Sequence, residues 1–284
     1  MEKEVLLKNL MYLRSKEQTL HQLKKAQGRR IAALVCEHLR TIPLLAGDTV
    51  GDEMRLLFSQ DVPDSAFFAD ICHEMVLQMP EVTPATFFPL AQGNEKETTV
   101  SYLKNAHSDR AYRIFAAHLP GASAIPAATS YSCCEDVSTG KATCCILPVH
   151  TEKSGILTTF CALAEQYDLF IHAITTVTDP QTEEATVFAL FKRRCEWNPN
   201  KTFYAFGIPE ELLAHCGKIL CDVSALGATV LRVGALQTMD GGRAICLIVL
   251  DVGRADLTAI LLYLEVAAKS HITLGLFEEW TDNE

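Results

Sequence analysis

Apolar residues recur at helical spacing from the start of the chain: Leu6, Leu10, Leu13, Leu20 and Leu23, then Ile31, Leu34, Val35 and Leu39. Residues 1–40 hold no Pro and a single Gly, Gly28, so the spacing predicts one long helix or two collinear ones. A lone helix of that length cannot bury its own stripe and needs partner helices or a second subunit. Pro43, Gly47-Asp48 and Gly51 interrupt the pattern. Shorter helices are expected over 52–59 and 65–79, which makes residues 1–88 an all-α domain.

The pattern then changes. Residues 79–96 carry Pro80, Pro84 and Pro89 and a polar tail, and read as a linker. Strand-like runs over 98–103, 143–147, 170–178 and 185–191 alternate with helical runs over 109–118, 132–139 and 155–167. Gly140 ends one helix, Pro148 stops one strand, and Asp179-Pro180 turns the chain. Residues 96–193 therefore form a small α/β lobe around a partly parallel sheet. A second linker, 194–200, contains Pro199. After it, strands over 202–208, 229–238, 244–251 and 272–277 and helices over 210–226 and 256–270 give βαββαβ. Pro209 opens the first of these helices, and Asp240-Gly241-Gly242 makes the hairpin turn. Residues 201–284 are thus expected to form a ferredoxin-like sandwich.

Composition narrows the function classes. A chain of 284 residues suits two or three domains, and 49% hydrophobic against 21% charged residues describes packed cores, not disorder. The net charge of −10 argues against a nucleic-acid binder. Charge is uneven: residues 1–40 hold nine Lys and Arg against four Asp and Glu, a balance of +5, which leaves −15 for the remainder. No apolar run is long enough to span a bilayer, and residues 1–14 are charged throughout, unlike a signal peptide, so a cytoplasmic protein without membrane contact is expected. The odd count of 11 Cys fits a reducing compartment. Cys144, Cys145, Cys221 and Cys246 sit in apolar runs and are expected to be buried. There is no C-x-x-C and no H-x-x-x-H, so neither a structural metal nor a catalytic thiol is expected. Phosphate-loop, dinucleotide, nucleophile-elbow and zincin motifs are absent, and no cofactor is expected.

Three places could carry chemistry. Lys24, Lys25, Arg29 and Arg30 cluster on the long helix, with Arg14 and Arg40 flanking them. Arg29 and Arg40 are about three helical turns apart on one face, where paired guanidiniums could clamp the carboxylates of a small dianion. A solvated basic face is the simpler meaning, and no aromatic residues interleave for RNA stacking. The polar stretch from His150 through Thr151, Glu152 and Ser154 joins a buried strand to a helix start, where free backbone N–H groups favour anions. Ser154 could equally be only a cap there. Thr186 opens the returning strand, either as a hydroxyl at a cleft or as an ordinary β-former.

The order of parts resembles the bifunctional chorismate mutase–prephenate dehydratase family. Glu135-Asp136-Val137, Ser138-Thr139-Gly140-Lys141-Ala142 and Leu147-Pro148-Val149 resemble the first dehydratase lobe. Leu163-Ala164-Glu165-Gln166-Tyr167-Asp168-Leu169 resembles the helix end before that family's closing strands. The βαββαβ tail, ending in Thr273-Leu274-Gly275-Leu276-Phe277, resembles its ACT amino-acid-sensing domain. The resemblance implies a chorismate mutase-like domain over 1–88, a dehydratase-like lobe over 96–193 and an ACT-like domain over 201–284. It also implies a place in phenylalanine biosynthesis. Aligned on the Arg-Arg pair, Arg29 falls on a carboxylate-binding arginine of the mutase, Arg40 on its ether-contacting lysine and Glu53 on its active-site acid. Arg14 and Gln78 lie near the places of a further arginine and the closing glutamine, out of register.

The departures are specific. Where the family reads Glu-Asn-Ser after its Leu/Val-Pro-Ile, this chain has His150, Thr151 and Glu152. The expected glycine-rich loop reads Lys104-Asn105-Ala106-His107-Ser108. The family's catalytic Thr-Arg-Phe becomes Thr186-Val187-Phe188, and valine cannot bind a carboxylate. The second dehydratase lobe, which belongs between the equivalents of Gly155 and Leu163, is reduced to a few residues, expected as one continuous helix. The ACT ligand motifs are replaced by Ile208-Pro209-Glu210-Glu211-Leu212 and Val233-Gly234-Ala235-Leu236. The resemblance therefore implies lost dehydratase activity, a dehydratase pseudoenzyme, with residual mutase chemistry at Arg29, Arg40, Glu53, Arg14 and Gln78. The alternative is a non-catalytic ACT-domain sensor of an amino acid or other small carboxylate metabolite, or a regulator of a pathway enzyme. Thr186, His150, Thr151 and Glu152 are the candidate ligand contacts of the lobe. Either reading expects a homodimer, through sheet edges and the long helix. An inert scaffold using the basic helix fits the acidic remainder least well.

Overall fold

The computed structural model describes residues 2–42, 47–58, 65–90, 97–236 and 244–282. The chain divides into two compact units. One comprises Met1–Phe87, Lys218–Leu226 and Asp256–Lys269; the other comprises Phe88–Gly217, Gly227–Ala255 and Ser270–Glu284.

The first unit is helical. Helix α1 (Glu2–Leu39) runs unbroken, as a Pro-free stretch allows, and is followed by α2 (Gly47–Leu57), α3 (Ser65–Gln78) and α4 (Pro84–Phe87). It also holds α8 (Cys216–Ala225), apart from Cys216 and Gly217, and α9 (Leu257–Ala267). Among the described side chains of α1, the buried ones lie in its last third: Gly28, Ala32, Val35, Cys36 and Leu39 are buried on one face. That face meets α3, where Phe67 and Ile71 come so close that a Cβ on Gly28 would lie 3.3 Å from the Phe67 ring. Helix α9 is apolar all round and buried from Leu257 to Leu264, the pattern of a core helix, and it packs on α2 and α3. Phe68 joins the layers, stacking edge-on with Phe58 at 4.8 Å and lying 6.0 Å from the Tyr263 ring. The Tyr263 hydroxyl donates to buried Asp222 at 2.7 Å. By contrast Met11, Leu13, Leu20 and Leu23 on the first half of α1 are each about 60% exposed. No described helix is long and apolar enough to cross a membrane.

The second unit is built on one 10-stranded sheet. Its strands are β1 (Thr99–Leu103), β2 (Ser123–Ala127), β3 (Cys144–Thr151), β4 (Gly155–Ile156), β5 (Phe170–Thr178), β6 (Ala185–Lys192), β7 (Phe203–Pro209), β8 (Thr229–Leu236), β9 (Ile245–Asp251) and β10 (Ile272–Glu279). The order is β2-β1-β3-β6-β5-β10-β7-β9-β8, with β4 folded back on β3. Strands β1, β2 and β3 run parallel, joined by α5 (Ala106–His118) and α6 (Ser130–Ser138). Side chains of α5 pack into the core of one face. The other face is packed by α6 and α7 (Thr158–Tyr167). Asn105 caps α5 and Thr129 caps α6, each accepting from a backbone N–H three residues on. The last four strands pair antiparallel in the order β10-β7-β9-β8, the connectivity expected of the βαββαβ tail. Asp240-Gly241-Gly242, read as the turn between β8 and β9, lies outside the described residues. Parallel pairing of β10 with β5 at Gly275 and Ile171 joins the lobe and the tail into one sheet, a join the chain's periodicity does not announce.

Several local expectations are corrected. Pro148 does not stop β3; the strand continues to Thr151 with a register shift between Pro148 and His150, where the missing N–H is tolerated. The stretch expected as one helix from 155 to 167 begins instead as β4, and Leu157 alone separates it from α7. Ser154 caps no helix: its backbone N–H donates to the Thr151 hydroxyl at 3.0 Å. The helix after Pro209 opens as a 3-10 segment, Glu210–His215. Cys144, Cys145 and Cys246 are buried, but Cys221 is exposed, because α8 turns Ile219, Asp222 and Val223 inward instead.

Candidate functional site

The helical candidates form a polar seam between α1 and α3. Arg29 bonds Glu74 at 3.0 Å. The Gln78 amide reaches the Arg29 carbonyl at 3.5 Å, and Arg40 donates to the Gln78 carbonyl at 2.5 Å while facing Glu81 at 3.7 Å. Glu53 on α2 pairs with His38 at 3.0 Å. Arg29, Arg40 and Gln78 are thus brought together, but each guanidinium already faces a carboxylate of its own chain. Arg14 stands apart: fifteen residues of helix put it about 22 Å up the axis from Arg29.

In the second unit a cavity of about 300 Å³ opens on the face of the sheet that α7 packs against. Its floor is apolar: Ile171, Ala205, Leu247 and Phe277, from four different strands, are all buried. Ile156 of β4 and Phe160 of α7 wall one side, and Ile156 reaches across to Gly234 of β8, where any Cβ would meet it. Val149, Ile174, Val187, Phe203, Leu231 and Val249 complete the apolar lining. The polar groups are His150, Thr176, Arg232 and Glu279, with Thr176 3.5 Å from the Glu279 carboxylate. Burial and the Arg232 guanidinium lower the His150 pKa, against an opposing pull from Glu152. At neutral pH His150 is therefore an uncharged hydrogen-bonding group, and the cavity holds one cation, Arg232, and one anion, Glu279.

Of the ligand contacts expected on this lobe, only His150 lines the cavity. Thr151 is occupied by the Ser154 N–H, and Glu152 is exposed. Thr186 pairs with Thr151 on the strand face opposite to Val187, so its hydroxyl is turned away from the cavity. Sequence reasoning missed Thr176, Arg232 and Glu279. They come from β5, β8 and β10. Arg232 directly precedes the Val233-Gly234-Ala235-Leu236 stretch singled out above, but nothing near Thr176 or Glu279 in the chain points to a cavity.

A separate polar knot lies on the other side of the sheet. Lys201, only 6% exposed, donates to the Glu196 carbonyl at 2.8 Å and meets His172 Nδ1 at 3.1 Å. Burial pushes Lys201 down to about 8. Burial and the neighbouring Lys201 and Lys192 push His172 down to about 2. Lysine is thus the donor and neutral histidine the acceptor.

No protein-family model and no curated protein matches the chain. Solved structures share the fold of part of the chain, two of them as follows. One is GqqA, described as a novel type of quorum-quenching acylase, with a TM-score of 0.51 and 18% identity over 63% of this chain and 94% of that one. The other is a prephenate dehydratase from Streptococcus mutans, with a TM-score of 0.51 and 16% identity over 64% of this chain and 99% of that one. The fold is that of a prephenate dehydratase-like α/β protein, and at these identities the likeness is one of fold.

Proposed function

We propose that this protein is a diverged relative of the chorismate mutase–prephenate dehydratase proteins of aromatic amino-acid biosynthesis that binds a small amino-acid-like carboxylate and no longer dehydrates prephenate. The sheet-face cavity carries the reading. Arg232 suits a carboxylate, Glu279 suits an ammonium, and the floor suits one apolar or aromatic side chain. Loss of dehydration is supported by Val187 in place of a guanidinium and by the single residue between β4 and α7, which leaves no second lobe to close a dry site. On this reading residues 1–88, 96–193 and 201–284 descend from mutase, dehydratase-lobe and ACT domains. A homodimer covers Met11, Leu13, Leu20 and Leu23 on α1 and Leu231 and Val233 on the edge strand β8. The test is a calorimetric titration of the full chain with the aromatic and branched amino acids. One of them should bind one-to-one, and Arg232→Ala should weaken it at least tenfold. No heat from any of them, or phenylpyruvate formed from prephenate above background, ends the reading.

A second reading, residual chorismate mutase activity, draws on the gathering of Arg29, Arg40 and Gln78. It requires chorismate to displace Glu74 and Glu81 from the arginines. Loss of chorismate absorbance that disappears in Arg29→Ala would favour it; no loss with the unaltered protein removes it.

A further inference from the structure

A second cavity, about 510 Å³, lies where β6 ends and the turn after α6 enters β3. Its lining is of the opposite character to the first. Lys141, Lys192, Arg193 and Arg194 converge on it, with Glu196 as the one carboxylate of the lining, in a chain whose net charge is −10. The charges are unequally engaged. Lys141 is matched by Asp136 at 2.7 Å. Arg193 donates to the Ser138 carbonyl at 3.3 Å, a bond that orients the guanidinium without neutralising it. Arg194 forms no ion pair among the described residues. Lys192 is 9% exposed, so its charge is poorly screened by water and is felt by His172 and Lys201 alike.

From this convergence we infer that the cavity is a binding site for a small multivalent oxyanion, a phosphoryl or polycarboxylate group held by the forked guanidiniums of Arg193 and Arg194. The two arginines follow directly on β6, so the end of a sheet strand fixes their backbone. Lys141, paired with Asp136, and Lys192 line the other walls. The concavity matches one small ligand. The strongly acidic remainder of the chain repels a long polyanion such as RNA, which needs an extended basic track. This site is independent of the amino-acid reading of the His150 cavity, since the two share no lining residue.

The full-length protein is titrated with sodium pyrophosphate and with citrate by calorimetry, at an ionic strength held constant with sodium chloride. One-to-one binding of at least one of them is expected; pyrophosphate alone identifies the phosphoryl class and citrate alone the polycarboxylate class. Arg194→Ala should weaken binding at least tenfold, and Arg193→Ala combined with Arg194→Ala should abolish it. Arg232→Ala, in the other cavity, should leave it within twofold. Both arginines are exposed, so an unchanged melting temperature without ligand verifies that the variants fold. The inference is overturned if neither anion binds, if the double variant binds as well as the parent, or if a single-stranded oligonucleotide binds more tightly than either anion.

Discussion

Replacing Gly275 with Ala tests how the two halves of the sheet are joined. Gly275 sits on β10 with φ at +154°, paired with Ile171 of β5 on one side and Ala205 of β7 on the other. The ladder shifts register next to it on both sides. A Cβ there would strike the Ile171 carbonyl oxygen and lie 2.7 Å from its nitrogen and 2.9 Å from its Cα. These are backbone atoms, so no rotamer change relieves the clash. Backbone strain costs about 1–3 kcal/mol and overpacking about 1–3 kcal/mol more. Together they give about 4 kcal/mol, and at about 2–4 °C per kcal/mol the melting temperature should fall by about 8–16 °C. Gly140 is the control: its φ is +77°, but nothing lies within 4 Å of an added Cβ. Gly140→Ala should lose only the strain component, about 2 kcal/mol or about 4–8 °C. The assay is calorimetric melting of both variants beside the parent. If Gly275→Ala melts no lower than Gly140→Ala, the close approach of β10 to β5 is not what demands glycine, and the reasoning fails.

Two further outcomes follow from buried polar groups. His172 is held near 2 in the folded state against about 6.5 unfolded, so the unfolded chain binds the extra proton between those values and stability falls as pH drops below about 6.5, by about 1.4 kcal/mol per unit. Lys201 at about 8 against 10.5 acts at the other end: stability rises between about pH 8 and 10.5, by about 3 kcal/mol in all. Urea unfolding at a series of pH values checks both slopes; Lys201→Met should remove the alkaline rise, and an unchanged rise would refute the assignment. In the helical unit, Tyr263→Phe leaves Asp222, 4% exposed, without its 2.7 Å donor and should cost about 2–3 kcal/mol, read as a lower urea midpoint at unchanged slope. A cost below about 0.5 kcal/mol would show that the hydroxyl does not support the carboxylate.

The elements legible in the chain are those whose signal is local. A Pro-free start with apolar residues three and four apart is a helix wherever it packs, and α1 runs through it. Runs such as Phe170–Thr178 and Ile245–Asp251 alternate or stay apolar and are β-branched, and they are strands. The misses have local reasons too. Ser123–Ala127 contains Pro126 and little β-branching, and it pairs only because it lies at the sheet edge, where a missing N–H is tolerated. Pro148 is absorbed by a shift in register. Of the candidate ligand contacts, His150 lines the cavity and Thr186 does not, because a one-residue step along a strand reverses the face.

What the sequence determined by itself is therefore most of the order of helices and strands and the acidic balance with its basic first helix. Tertiary structure alone decided that β10 closes on β5, that Arg29 and Arg40 spend their charge on Glu74 and Glu81, and that two cavities of opposite character open in one unit. The physical reason is range. Periodicity and propensity act over a few residues, whereas a cavity walled by eight strands depends on pairings between residues a hundred or more positions apart, such as Thr176 and Glu279.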